Sequence, residues 1–252
     1  MKINKKIKPF VFILLSLLVT ISSCKKKNED APTLETGSVT DIDGNSYKTV
    51  KIGNQWWMAE DLRTKRYNDS SYIASVAPPP FDTSWQHYTT GALTNNINNL
   101  GIIIGRFYNF YAVTDHRGIA PKGWHIPSDI EWKTMEQTLG MSKQDADNTG
   151  WRGTHEGEKL KVIQGTNGGW TDFSSVWSTN ESGFSALAGG CRMFDGSWGD
   201  PGQSATGFWW TSSLQNEQGF QACYRYLDYK NATVFRYYGP KTYGFSVRCI
   251  KD

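Results

Sequence analysis

The sequence predicts an α+β domain, with helices early, strands late, and both packed on one apolar core. Three observations carry that expectation. The stretch Gly123–Trp132 holds a helix start with a cap and its partner, and Phe184 to Ile250 falls into short apolar and aromatic runs separated by turn residues. Composition agrees: 25 glycines, 14% aromatic residues and 38% hydrophobic residues in a chain of 252 favour many short strands and turns over a helical bundle.

The helix start is the clearest local signal. Ser128 is placed to accept from the N–H of Glu131, whose carboxylate can reach back to the N–H of Ser128, a capping box. Pro127 keeps Ile126 extended, and Asp129 and Glu131 suit the positive end of the helix dipole. Ile130, Met135 and Leu139 give the expected apolar stripe, and Gly140 ends the helix.

Ahead of the folded part, Met1–Lys8 is basic, Phe10–Ile21 is apolar, and Ser22-Ser23-Cys24 follows. This order resembles the lipobox of bacterial lipoproteins, in which the cysteine becomes the lipidated first residue. The resemblance implies a signal peptide at 1–23, lipidation of Cys24 and a membrane partner held through acyl chains, at the cell envelope, on the outer membrane or cell surface. Residues 24–37, beginning Cys24-Lys25-Lys26-Lys27-Asn28-Glu29-Asp30, read as a flexible tether, and 38–252 as the folded domain. The leader holds four lysines and no acid, so the formal charge of +3 becomes −1 without it. A basic face for nucleic acid is therefore not expected.

In the folded part, Val39, Ile42, Tyr47, Val50 and Ile52 alternate with polar residues around turns at Asp43-Gly44-Asn45 and Gly53-Asn54, predicting two hairpins that end in the strand Gln55–Met58. Residues 68–104 read as loop with a short buried piece at Ile102–Ile104. Phe107–Val113 and Glu156–Ile163 read as short helices. The expected late strands are Phe184–Gly190, Phe208–Ser212, Ala222–Tyr229, Thr233–Tyr238 and Phe245–Ile250.

Several stretches together resemble the Fibrobacter succinogenes major paralogous domain: Thr40–Tyr47, Met58-Ala59-Glu60-Asp61-Leu62, Gly123–Ser128, Glu181–Leu187 and Tyr243–Cys249. That resemblance spans about 38–252 and implies a secreted or surface-anchored protein more than a reaction. Ile126–Trp132 and Gly244–Arg248 are also similar, distantly, to the formylglycine-generating enzymes. That likeness implies a C-type-lectin-like core of two main helices and a twisted antiparallel sheet with long loops, following the N-terminal β-hairpins. The copper-binding cysteine pair of those enzymes does not map onto Cys191, Cys223 and Cys249. In the first family Cys249 belongs to the terminal motif, whereas Cys191 and Cys223 stand where aromatics are usual. This implies a Cys191–Cys223 disulfide with Cys249 unpaired; strand parity is compatible with it, and the two other pairings stay open.

Residue patterns for chemistry are sparse. Asp41-Ile42-Asp43-Gly44-Asn45 starts like a calcium loop but has its glycine one residue early and Ile52 in place of the closing glutamate. His87, His116, His125 and His155 form no metal-ligand spacing, and no nucleophile elbow or phosphate loop is present. The expectation is a protein that is not an enzyme, with no cofactor, no catalytic set and no metal set. Aromatic residues crowd the last quarter. Most belong in the core, and Trp198, Trp209, Tyr224, Tyr226 and Tyr237 are the candidates for stacking on a ligand. Tyr224 and Tyr226 share one strand face, opposite Arg225 and Leu227. The function expected is a non-catalytic surface lipoprotein that binds a polymer such as a glycan, or a protein partner. The alternatives are copper/oxygen chemistry on the formylglycine-generating fold and a purely structural envelope protein.

Overall fold

Turn chemistry decides the first elements. In the computed structural model, which describes residues 33–77, 84–98, 101–163, 169–170, 178–199, 205–216 and 218–252, Gly44 and Gly53 take positive φ (84° and 61°) and close the two expected hairpins. These join β1 (Thr36–Thr40), β2 (Ser46–Ile52) and β3 (Gln55–Met58). Asp41 fixes the first turn by accepting from the N–H groups of Asp43 and Asn45 and from the Tyr47 hydroxyl. Next come β4 (Ala74–Ser75), a 3₁₀ turn at Ser84–His87, β5 (Ala92–Ile97), β6 (Ile103–Tyr108), α1 (Phe110–Val113), β7 (Trp124–His125), α2 (Asp129–Thr138) and α3 (Lys143–Asp147). After β8 (Gly150–Arg152) and α4 (Glu156–Leu160) the chain builds β9 (Cys191–Arg192), β10 (Trp198–Gly199), β11 (Thr206–Leu214), β12 (Gln221–Asp228), β13 (Val234–Pro240) and β14 (Ile250–Lys251).

Four sheets result. One has the order β1-β2-β3-β14-β7 and another the order β11-β12-β13-β8; β4-β5-β6 and β10-β9 are smaller. Apart from the parallel β4–β5 pair, these strand pairs are antiparallel.

This corrects the expected fold class. The domain is mostly β with four short α-helices among the described residues, the longest of ten residues, and it lacks the two-helix lectin-like core. Phe107 and Tyr108 belong to β6, because the helix after them starts only where Asn109 caps it by accepting from the N–H of Ala112. Helix α4 stops at Leu160, since Lys161 bridges to Ala186 instead of continuing the turn. Phe184–Gly190 and Phe245–Cys249 are joined to their neighbours by isolated bridges and do not form long strands, and Ser185 takes φ 57°. Ile102 and Ile103 are exposed, so the piece expected there to be buried is not.

The capping box forms as expected, with Ser128 Oγ accepting from Glu131 N–H and Glu131 accepting from Ser128 N–H at 2.7 Å. Of the expected stripe, Met135 is buried and Leu139 packs against the core, but Ile130 points outward and polar residues join the buried face. Ile130 is 73% exposed, whereas Asp129, Trp132, Met135 and Glu136 face inward. Trp57, Trp132, Phe184 and Trp209 pack there edge to face, with adjacent centroids 5.2–6.3 Å apart.

Candidate functional site

Two carboxylates on the buried face of a helix need partners, and the β11–β12–β13–β8 sheet supplies them. Arg225 of β12 gives Nε to Glu136 at 2.7 Å and Nη1 to Asp129 at 2.8 Å. Arg152 of β8 donates to both Glu136 oxygens at 2.7 and 2.8 Å, and Arg236 of β13 donates to both Asp129 oxygens at 2.8 and 2.7 Å. Burial pushes the Glu136 carboxyl up, but Arg225 and Arg152 outweigh it and hold it below its usual range; Asp129 is lowered in the same way by Arg236 and Arg225. Burial also lowers Arg152, whose Nε is a buried donor with no partner.

Side chains alternate along a strand, so turning the arginines inward turns their neighbours outward. Those neighbours are aromatic. Trp151 flanks Arg152, Tyr224 and Tyr226 flank Arg225, and Phe235 and Tyr237 flank Arg236. Register brings them together: Phe208 lies opposite Tyr226, Tyr226 opposite Phe235, Tyr224 opposite Tyr237, and Phe235 opposite Trp151. Phe208 and Tyr226 stack with centroids 4.5 Å apart, and Trp151 lies 5.1 Å from both Tyr226 and Phe235. One end is covered by Phe245, whose ring packs 5.1 Å from both Phe208 and Tyr224. The other end is open, with Tyr237 49% and Trp151 39% exposed. A sheet that meets solvent on one face normally points polar residues at it, and this one does the reverse.

Of the ring candidates from sequence, Tyr224, Tyr226 and Tyr237 lie on this surface. Tyr224 is half-buried, its hydroxyl pushed up to about 12 by burial and by neighbouring Tyr243. Trp209 is a correction: it is 1% exposed and donates Nε1–H to Asp61 at 3.0 Å, so it cannot stack on a ligand. Trp198 belongs to the β9–β10 pair and meets Phe107 edge on at 5.8 Å, away from the sheet that carries the rings. Trp151, Phe208 and Phe235 were not singled out from sequence, although Trp151-Arg152 and Phe235-Arg236-Tyr237 repeat the alternation seen around Arg225. A half-open cleft of about 370 Å³ bordered by Lys48, Glu60, Arg63, Ile103 and Leu187 shares no residue with the ring surface.

The expected disulfide is also corrected: Cys191 and Cys223 are not bonded to each other. Cys223 points with Arg225 toward α2, its thiol 3.2 Å from Asp129, whereas Cys191 joins the core on the side of Tyr224 and Phe245. The two thiols therefore lie on opposite sides of β12, and parity within each strand did not fix the side of the other. Burial raises the Cys223 and Cys249 thiols above their usual range. Cys24 lies outside the described residues. Among the described residues, no group of three or more His, Cys, Asp and Glu is placed to hold a metal ion.

The sequence pattern of the Fibrobacter succinogenes major domain matches residues 50–251. The chain belongs to that family. No curated protein matches it, and no solved structure does. In this Fibrobacter succinogenes major domain three of the five resembling stretches, Met58–Leu62, Glu181–Leu187 and Tyr243–Cys249, meet at one buried clasp. Arg248 of the terminal motif bonds Asp61 at 2.7 Å, the carbonyl of Phe184, and that of Ser185 at 2.9 Å. These three thus tie distant parts of the fold together, and the exposed rings Trp151 and Tyr237 lie outside all five stretches.

Proposed function

We propose that this chain is a non-catalytic, surface-anchored lipoprotein whose folded domain binds a polymer, such as a glycan, or a protein partner, with the ring-bearing sheet face as its contact surface. The inverted sheet supports the reading. Exposed apolar area costs about 25 cal/mol per Å², and contiguous patches of it mark interaction sites. Aromatic rings are also enriched in contact surfaces, where they add area with little loss of side-chain freedom. Lipidation at Cys24 would hold this surface at the cell envelope, on the outer membrane or cell surface, through acyl chains worth about 0.8 kcal/mol per buried CH₂.

Two measurements test it. Full-length protein in lipid vesicles is passed over surfaces bearing plant, host and microbial glycans and surface proteins, beside the Trp151→Ala/Tyr237→Ala variant. Retention lost in the variant supports the reading, and equal retention of both, or none of either, refutes it. Cys24→Ser should leave the detergent phase on phase separation; unchanged partitioning would refute the lipid anchor.

A further inference from the structure

We propose that β1 is a pairing edge through which two copies of this chain join their sheets, antiparallel about a two-fold axis at Ser38; the edge belongs to another sheet than the ring surface and stands apart from it. The first observation is the direction of the backbone bonds. Glu35 O accepts from the N–H of Lys51 at 2.9 Å and Asn45 O from the N–H of Asp41 at 3.0 Å, and the register Gly37↔Thr49, Val39↔Tyr47 runs between them. Alternate residues of an antiparallel pair bond across the ladder, so 35, 37, 39 and 41 face β2, and Thr36, Ser38 and Thr40 turn their N–H and C=O groups outward. Among the described residues, no other backbone group bonds these outward groups. The second observation is that the fold closes its other edges. Strands β4, β7, β9 and β10 have two residues each and β8 has three. The outer side of β6 is taken by Leu62 and Phe245, and that of β11 by Gly190 and Ser246. Strand β1 has five residues, four of them exposed, with no proline, charge or bulge to turn a partner strand away.

What makes a second copy the occupant is self-complementarity. With Ser38 opposite Ser38 of the second copy, Thr36 meets its Thr40 and Thr40 its Thr36, so every outward group falls in a pair that exchanges both bonds, an isologous contact. Short hydroxyl side chains meet on one face, and on the other Gly37 leaves room for Val39 of the second copy. Charge matches at the two ends. The Glu35 side chain, 63% exposed, precedes Thr36, and the register carries it to the Thr40 end of the second copy. At that end the exposed Lys122 stands across a cleft of about 400 Å³ from Thr40, Asp41 and Ile42. The Asp41 carboxylate there is turned inward, accepting from the N–H groups of Asp43 and Asn45 and the Tyr47 hydroxyl, so Glu35 meets a cation and no free carboxylate.

The test is disulfide trapping of the full-length protein in lipid vesicles with copper phenanthroline, read on non-reducing gels. Wild type, whose Cys191, Cys223 and Cys249 thiols are buried, is the blank. Bonded antiparallel partners have Cα atoms about 5.5 Å apart, within disulfide reach, whereas residues offset by about four positions lie about 14 Å apart, beyond it. Ser38→Cys should therefore cross-link to itself. Thr36→Cys alone and Thr40→Cys alone should not, and mixing the two should give the dimer. Thr36→Pro added to Ser38→Cys removes an outward donor that the fold does not use, so the dimer yield should fall about tenfold while the urea midpoint stays near that of Ser38→Cys. Lys122→Glu on the same background should lower the yield, and Glu35→Lys in the same chain should restore it. Cross-linking of all three single variants alike, as a parallel register or random collision would give, or of none, overturns the proposal. A Ser38→Cys yield unmoved by Thr36→Pro or by Lys122→Glu overturns it as well.

Discussion

Glu136→Gln is the sharpest perturbation of the layer that turns the rings outward. The substitution keeps the shape of the side chain and removes its charge from a site where Arg225 donates at 2.7 Å and Arg152 at 2.7 and 2.8 Å. The amide retains one acceptor oxygen and turns an NH₂ toward the other guanidinium. Asp129 is then left as the carboxylate facing three arginines. Breaking a buried ion pair from one side costs about 3–5 kcal/mol, a large part of the roughly 5–15 kcal/mol that holds a domain folded. With a urea slope of about 2–3 kcal/mol per M, the midpoint should fall by about 1–2.5 M.

The control is Arg152→Met. Wild type sets three arginines against two carboxylates, burial already lowers Arg152, and its Nε is unpartnered. Removing this cation relieves the excess and leaves Glu136 paired to Arg225, so the loss should be under about 2 kcal/mol. Urea titrations followed by fluorescence compare the two. A Glu136→Gln loss below about 1 kcal/mol, or no greater than that of Arg152→Met, refutes the reasoning.

Three further outcomes are expected. His125 places Nδ1 2.6 Å from Asp252 and Nε2 2.8 Å from Glu131; burial lowers its pKa, and the two carboxylates overcome this and raise it. Its contribution is full below the unfolded value of about 6.5 and lost as pH rises through the higher folded value, so the stability advantage over His125→Gln should shrink across that window, and an NMR titration at or below 6.5 would contradict this. Burial lowers Lys161, which donates to Asn231 O at 2.6 Å, to about 8. The unfolded chain then binds the extra proton between about 8 and 10.4, so wild type should gain stability against Lys161→Met as pH rises through that range, and parallel pH curves would exclude it. Alkylation after denaturation without reductant should label the peptides of Cys191, Cys223 and Cys249, and a disulfide-linked peptide in the mass map would overturn their description as thiols.

Local rules were legible where a few neighbouring residues decide the outcome. Ser128 and Glu131 sit within one turn, and Gly44 with Asp41 and Gly53 set their hairpins locally, so the capping box and the first three strands follow from sequence. The alternation of Tyr224 and Tyr226 against Arg225 and Leu227 was equally readable. What parity cannot give is which side is inside. The usual assumption of arginine out and tyrosine in fails here, because the deciding residues are on another element: Asp129 and Glu136, seven positions apart and hence on one face of α2. The family motifs hid the surface in another way. Asp61, Phe184 and Arg248 meet in a buried clasp, so they point to the fold and away from Trp151 and Tyr237.

An apolar inner face would hold this sheet about as well as the ion layer does, since desolvating charges offsets most of their attraction. What the ions add is direction. Arg152, Arg225 and Arg236 stand on three different strands, and each is fixed by short bonds to one helix, so the relative position of β8, β12 and β13 is set by where Asp129 and Glu136 lie on α2. A one-residue slip of any strand would drive a ring onto a carboxylate and an arginine into the ring surface, a mismatch that apolar residues on both faces would not penalise. The buried charge and the exposed rings are therefore one arrangement seen from two sides. The layer that costs most to bury keeps Trp151, Tyr226 and Phe235 in contact across three strands, their rings tilted or edge to face, and so fixes the shape of the exposed face.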